Sequence, residues 1–390
     1  MKDLLVTTHT PVLRSGQMMR TYGVARALAA GSGRNGLTLL YVRFGADEPD
    51  ASFTAIEGVE LRAVVPSRGA ARLLAYAGAR ARGLPDGFAR GVSRELASAA
   101  TKLAAEPSCG RVIGDGPIAA AALSGLARKR AVIYNAHNLE SGFRHEIEAR
   151  GGRAQRQLRS FERSLLASAA ESWMVSAADI AAAAELCPGA RLRYVPNVVD
   201  VTSIEPVTAK AEQQRATFVA NFAYEPNRNG LDFLLEQVFP RVWAELPQAR
   251  LQLVGGGLQQ APSTDARVET LGFVADLRDA YARASCAVVP LLQGGGSPLK
   301  FVEALAYGLP VVATPRAANG LEVIDGKHCL IADGADAFAQ ALVRALRGEA
   351  AELGRHGRAL AQERYSIEAL SRLLDDTAPA DRASAPGAAA

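Results

Sequence analysis

Short apolar, β-branched runs alternate with longer segments of helical periodicity along most of the 390-residue chain. In the first half, Leu4–Thr7, Leu37–Val42, Val59–Val65, Arg111–Ile113, Ala131–Tyr134, Ser172–Val175 and Leu192–Val195 read as strands. Strands that alternate with helices predict parallel sheet, because a parallel pair needs a long crossover connection. The pattern lapses after Pro196, through Pro206 and a polar stretch up to Gln214. It restarts with Thr217–Ala220, Arg250–Val254, Val268–Leu271, Ala287–Pro290 and Val311–Ala313. The lapse divides the chain into two Rossmann-like, doubly wound α/β domains, 1–196 and 197–365. A ligand cleft is expected between them, at the carboxyl ends of the strands. Leu330 to Arg364 reads as helical, interrupted by Gly348 and by the glycines around His356. Tyr365-Ser366 then leads into a last amphipathic segment, 366–378, expected to be a helix that returns to the first domain. The final stretch, 379–390, has nothing to bury and is expected to be disordered.

Composition adds exclusions. Hydrophobic residues make up 49% and charged residues 22% of the chain, which supplies ordinary packed cores and excludes global disorder. The cysteines Cys109, Cys187, Cys286 and Cys329 form no Cys-x-x-Cys pair, so neither a metal knuckle nor a redox couple is expected and a reducing, cytosolic compartment is. No apolar run reaches the roughly 18–20 residues of a membrane helix, and the opening segment, with Asp3 and Pro11, lacks a signal-peptide core.

Charge separates the halves. Residues 1–196 carry 26 Lys and Arg against 17 Asp and Glu, whereas 197–390 carry 18 against 23. Arg68, Arg72, Arg80, Arg82, Arg90 and Arg94 have few acids around them, and Arg150, Arg153, Arg156, Arg159 and Arg163 recur at near-helical spacing. Such clusters are either solvated helix faces or a surface for anionic lipid or an anionic acceptor at the inner membrane face. No aromatic interleaving accompanies them, and no nucleic-acid partner is expected.

The segment Pro290 to Thr314 is the richest in chemistry. A buried strand ends at Pro290, the loop Gly294–Gly295–Gly296 follows, and Ser297-Pro298 is expected to open a helix with Ser297 as N-cap and Pro298 in the first position. Backbone N–H groups and a positive helix end at a glycine loop make an anion site. Lys300 and Glu303 fall on one face of that helix, a cation for phosphate oxygens and a carboxylate able to accept bonds from vicinal hydroxyls. Together they describe a pocket for a nucleoside diphosphate.

This segment resembles the donor site of the family 4 retaining glycosyltransferases of GT-B fold, in the branch with a glycine loop, Pro-Leu-Lys, then Glu-Ala-x-x-x-Gly-x-Pro-Val-Val. Further pieces fall in the family's order: Ala136-His137-Asn138-Leu139-Glu140, Tyr224-Glu225-Pro226-Asn227, Val254-Gly255-Gly256-Gly257 and Leu271-Gly272-Phe273-Val274. The resemblance runs from about Met1 to Leu374 and is strongest in the second half. It implies two domains facing across a cleft and metal-independent transfer of a sugar, with retention, from a nucleotide-sugar donor to a glycan or lipid-linked acceptor in surface glycan or polysaccharide assembly. No cofactor beyond the donor is implied, and no Asp-x-Asp metal motif occurs in the chain.

Carried over by residue, Glu303 would bind the ribose hydroxyls, while Lys300 with Gly295, Gly296, Ser297, Pro298 and Leu299 would hold the diphosphate. Gly272, Phe273 and Val274 would receive the base, His137 would sit near the transferred sugar, and Ser15-Gly16 would approach donor phosphates and acceptor. Arg228 is a candidate second cation, and Arg20 a candidate helper. Two positions depart from the family's pattern. Gly295 stands where many members carry a first glutamate, and Asn221 where many carry an arginine. A turnover-impaired binding protein, or a nucleotide-sugar epimerase or hydrolase, are the alternative readings. Asp115-Gly116 reads as a turn in preference to a contact to the acceptor, Asn227 as a helix cap, and Glu140 as an orienting group for His137 or a part of the acceptor cleft.

Overall fold

Parallel strands buried on both faces read as continuous apolar runs, and Leu37–Val42, buried at every position, is the clearest case. The computed structural model describes residues 1–31, 36–142, 152–274, 276–294 and 296–375, so Arg150, Gly295 and the segment 376–390 lie outside the described residues. The chain divides into two units, one formed by Met1–Pro196 with the segment from Leu370, the other by Asn197–Ala369.

The first unit is a seven-stranded sheet of β1 (Lys2–Thr7), β2 (Leu37–Val42), β3 (Val59–Val64), β4 (Cys109–Asp115), β5 (Val132–Asn135), β6 (Glu171–Met174) and β7 (Leu192–Tyr194). Its order is β3-β2-β1-β4-β5-β6-β7, and every pairing is parallel. The helices used below are α1 (Gly16–Ala30), α2 (Ala70–Ala81), α3 (Arg94–Ala104), α4 (Pro117–Ala122), α5 (Arg153–Ser168) and α6 (Ala177–Leu186).

The second unit repeats the plan with β8 (Arg215–Val219), β9 (Arg250–Val254), β10 (Val268–Gly272), β11 (Cys286–Val289), β12 (Val311–Ala313) and β13 (Leu330–Ile331), in the order β10-β9-β8-β11-β12-β13. Around it run α7 (Glu225–Phe233), α8 (Leu299–Ala306), α9 (Ala335–Leu346) and α10 (Ala351–Arg364). The last helix, α11 (Ile367–Asp375), is tied within the first unit by Arg111 Nη1 donating to Leu374 O at 2.8 Å, and Arg193 donates to Leu373 O. Each sheet reverses direction once, between β1 and β4 and between β8 and β11. In open α/β sheets ligands bind at such switch points, outside the carboxyl ends of the strands.

Two expectations for the C-terminal part are corrected. Leu330–Ile331 is a strand, pairing in parallel with β12 through Val312 and Ala313, and the helix starts only at Ala335, after Gly334 at φ 76°. Gly348, at φ 82°, does separate α9 from α10, but Gly354 and Gly357 lie inside α10 and are buried there. They are glycines because the helix approaches its neighbours closely: a Cβ at Gly354 would stand 2.1 Å from Gly308 O, and one at Gly357 2.6 Å from Leu305 Cδ2. Gly354→Ala should therefore destabilise the protein by about 1–3 kcal/mol in a urea melt, although alanine is the better helix former. A more stable variant would show that the close approach is not what selects glycine.

Candidate functional site

In the second unit the chain leaves β8 and β11 at adjacent sheet positions, and glycines let the loops there stack on one another. A Cβ on Gly255 would lie 1.9 Å from Ala220 O, on Gly257 2.2 Å from Ala223 N, and on Gly230 2.6 Å from Pro290 O. The exits of β8, β9 and β11 thus form one dense backbone floor. Asn227, expected as a helix cap, lies instead inside α7, whose N-cap is Tyr224. Its Nδ2 donates to Asn221 O at 2.7 Å, and its Oδ1 accepts from Lys300 Nζ.

Helix α8 begins one residue later than expected. Pro298 is its N-cap, at φ −73° and ψ 112°, and Leu299 is the first helical residue. Ser297 therefore precedes the cap instead of serving as it. It is buried, its carbonyl accepts from Asn197 Nδ2 at 2.8 Å, and its Oγ has no hydrogen-bond partner among the described residues. Lys300, in the first turn, places a cation beside the positive end of the helix dipole, an arrangement that an anion would relieve. Its Nζ lies 5.1 Å from the centroid of the Phe218 ring, and burial pulls its pKa down to about 7.

Glu303, one turn further on, is half-buried and interacts electrostatically with Tyr281 and Tyr307, whose rings lie tilted at 40° with centroids 4.7 Å apart. Burial pushes the carboxyl up to about 7. Burial and the facing Glu303 together raise both tyrosines, Tyr307 to about 12. Among the described residues no ion pair joins Lys300 to Glu303, and none gives either an opposite charge. Two desolvated charges without counter-charges are unstable alone and are suited to a ligand carrying an anion and hydroxyls.

The other predicted residues of this unit are less engaged. Gly272 ends β10 at φ 67°, its carbonyl accepting from Gly255 N at 2.7 Å. Phe273 is 85% exposed and Val274 half-buried, so an unpacked aromatic face stands at that strand end. Arg228 is exposed on α7 and folds back on Phe222 O, at 3.4 Å from Nε and 3.3 Å from Nη2. Gly296 is half-buried at φ 72°.

In the first unit the register of β4 and β5 sets Asp115 opposite Asn135, at the carboxyl ends of both strands. His137 Nε2 lies 2.8 Å from Asp115 Oδ1, Asn135 Nδ2 donates to the same oxygen at 2.7 Å, and Thr21 Oγ1 donates to Oδ2 at 2.6 Å. Burial alone would raise the Asp115 pKa, but His137 and these hydrogen bonds hold it below the ordinary carboxylate value. Asp115 is therefore the partner of His137, a role that the turn reading missed and that had been open for Glu140. Gly116, at φ 84°, lets the imidazole lie on the backbone, since a Cβ there would be 3.1 Å from His137 Cε1.

Arg20 is not available to a phosphate. It is buried, and it donates to Asn135 Oδ1 at 2.6 Å and to Val195 O at 3.0 Å, tying β5 to the end of β7. Gly16 is exposed as the first residue of α1, after the N-cap Ser15.

Residues 213–348, within the second unit, match the family model described as glycosyl transferases group 1. No curated protein sequence matches the chain significantly. Among solved structures, sucrose-phosphate synthase from Thermosynechococcus elongatus is 17% identical with a TM-score of 0.71, covering 96% of this chain and 97% of its own. Anabaena HepE in complex with UDP and glucose is 13% identical with a TM-score of 0.67, over 96% and 98%. A mutant of S. aureus TarM in complex with fondaparinux, α-GlcNAc-glycerol and UDP is 10% identical with a TM-score of 0.70, over 97% and 100%. These likenesses establish the GT-B fold: two Rossmann-like α/β domains.

The half-buried Lys300 and Glu303 predict a stability signature. Native Glu303 keeps its proton up to about pH 7 while the unfolded carboxyl loses it near 4.5, so its penalty is absent below 4.5 and full above 7. The Lys300 penalty is full below about 7 and fades as pH approaches 10.5. Glu303→Gln and Lys300→Met should each raise the melting temperature of the ligand-free protein by a few degrees at pH 7. The Glu303→Gln gain should vanish at pH 4.5 and the Lys300→Met gain at pH 10.5. Losses of stability at pH 7 would mean that both charges are already compensated.

Proposed function

We propose that the chain is a retaining glycosyltransferase that moves a sugar from a nucleoside-diphosphate donor to a hydroxyl of a glycan or lipid-linked acceptor, in the assembly of surface glycans. The observation that carries this reading is the desolvated, counter-charge-free pair Lys300 and Glu303 at the β8/β11 switch point, inside the segment that matches group 1 glycosyl transferases. The UDP and sugar bound by HepE and the UDP and α-GlcNAc-glycerol bound by TarM support it. The reading places the protein on the cytosolic side, where its four buried thiols stay reduced.

The reaction breaks the bond between the anomeric carbon and the β-phosphate oxygen, and the electron pair goes to the diphosphate. Lys300, the amino end of α8 and the Ser297 hydroxyl meet that charge as it grows, and they are aimed before the reaction starts. Glu303 accepts from the ribose hydroxyls. The acceptor oxygen bonds to the anomeric carbon on the face the diphosphate leaves, and its proton passes to the departing diphosphate oxygen, so no protein nucleophile is required. His137, its Nε2 edge fixed at Asp115, positions hydroxyls of the transferred sugar with its Nδ1 edge. Phe273 offers its exposed ring to the base. Lys300 and the helix end supply the positive potential, and the reading assigns no role to a metal ion.

Release of nucleoside diphosphate from a panel of UDP-, GDP- and dTDP-sugars, with and without lipid extract, tests this reading. Lys300→Ala and Glu303→Ala should each lower turnover by roughly 100-fold or more. Asp115→Asn should lower kcat by about 10–100-fold while leaving the melting shift produced by the donor intact, as expected of a positioning residue. No release from any donor, with no melting shift by any nucleotide, would overturn the proposal.

A further inference from the structure

Helix α2 is built inside out. It buries only Ala75 and Ala79 fully and packs Tyr76 partly against the first unit's core, whereas its two leucines face water, Leu73 being 69% and Leu74 61% exposed. With Ala70, Ala77 and Ala81, also exposed, they form a stripe at i, i+3, i+4, i+7 and i+11, the spacing of an amphipathic face, yet this one has nothing packed on it among the described residues. Val65 is likewise 54% exposed.

Beside α2 lies a 170 Å³ cavity whose lining includes Phe44, Ser67, Arg72, Arg90, Arg94 and Glu95. Arg72 stands over the Phe44 ring, 5.7 Å from its centroid, and Arg90 pairs with Asp86 at 2.8 Å. Neither Arg72 nor Arg94 has a carboxylate partner among the described residues. Glu95, the acid in the lining, is occupied: Ser67 Oγ and Ser93 Oγ donate to it, the latter at 2.8 Å, and hold its pKa down to about 2. Across residues 66–94 six arginines face a single acid, Asp86. An uncovered apolar stripe beside a cationic cavity is the composition of a surface that lies in a membrane interface, with side chains for the acyl region and cations for headgroup phosphates.

We propose that this face docks on an anionic lipid bilayer, Leu73 and Leu74 entering the acyl boundary while Arg72 and Arg94 hold a lipid phosphate in the cavity. Charge complementarity selects the bilayer over a second copy of the chain, which would bring the same arginines together. The proposal does not depend on glycosyl transfer.

Flotation of the full chain with vesicles of phosphatidylcholine, alone or with about 30% phosphatidylglycerol, tests it at low and at raised salt. The protein should partition at least about tenfold better onto the anionic vesicles, and a variant carrying Arg72→Glu and Arg94→Glu should lose that preference. A variant carrying Leu73→Ser and Leu74→Ser should lose the binding that persists at raised salt. Both variants alter exposed side chains and should keep the parent melting temperature, so a lost interaction is separable from misfolding. Four results would overturn the proposal: equal binding to both vesicles; unchanged binding by the arginine variant; a dimer dispersed by the leucine variant without vesicle binding; or saturable binding of inorganic phosphate at these arginines with no vesicle binding.

Discussion

The candidate site of the second unit depends on a lysine and a glutamate, both half-buried, to which no described residue gives an opposite charge. Burial alone moves Lys300 and Glu303 to about 7 from opposite directions, so near neutral pH neither is firmly charged until something binds. The fold holds them there. Gly255 and Gly257 bring the loops after β8 and β9 within backbone contact, Gly230 lets α7 meet the chain at Pro290 after β11, Asn227 accepts from the ammonium group, and Tyr281 and Tyr307 interact with the carboxyl. Such an arrangement lowers the stability of the empty protein and is stabilised by a ligand that supplies both an anion and hydroxyls.

The first unit solves the complementary problem, a fixed polar group in place of a labile one. Asp115 is buried and receives bonds from His137, Asn135 and Thr21, while Arg20 locks Asn135 from the other side. Every member of this network lies at the carboxyl end of β4 or β5 or on α1, next to the β1/β4 reversal. Rigid scaffolding of one imidazole costs little, because the buried oxygens of Asp115 and the side-chain amide of Asn135 all find partners. In both units the polar cluster described here thus sits where the order of strands reverses, although the two clusters are built on opposite electrostatic principles.

Much of this was legible in the sequence, because it rests on local pattern. Alternating apolar runs and helices gave two parallel sheets, and the three-residue spacing of Lys300 and Glu303 put them on one helical face. What was not legible depends on contacts between distant segments. Asp115 looks like a turn residue until the β4–β5 register sets it beside Asn135 and within reach of His137. Asn227 meets Lys300 across 73 positions, and Tyr281 reaches Glu303 from a different helix. Leu330–Ile331 is too short a strand to show a period. Gly354 and Gly357 look like helix breakers because only the packed neighbours reveal why a side chain is excluded. The start of α8 shows the limit of local rules: Ser-Pro is a sound opening for a helix, but here Ser297 is drawn into the loop, with its carbonyl on Asn197.

The central claim is that the anion site is empty of counter-charge until a diphosphate arrives, and proton linkage tests it most directly. UDP binding can be followed calorimetrically at pH 8 in buffers of different ionisation enthalpy, for the native chain and for Lys300→Met. At that pH a Lys300 titrating near 7 is mostly neutral and Glu303 already ionised. The account predicts uptake of about one proton per UDP bound, lost in Lys300→Met. Binding with no dependence on buffer, or an uptake that survives the substitution, would contradict it.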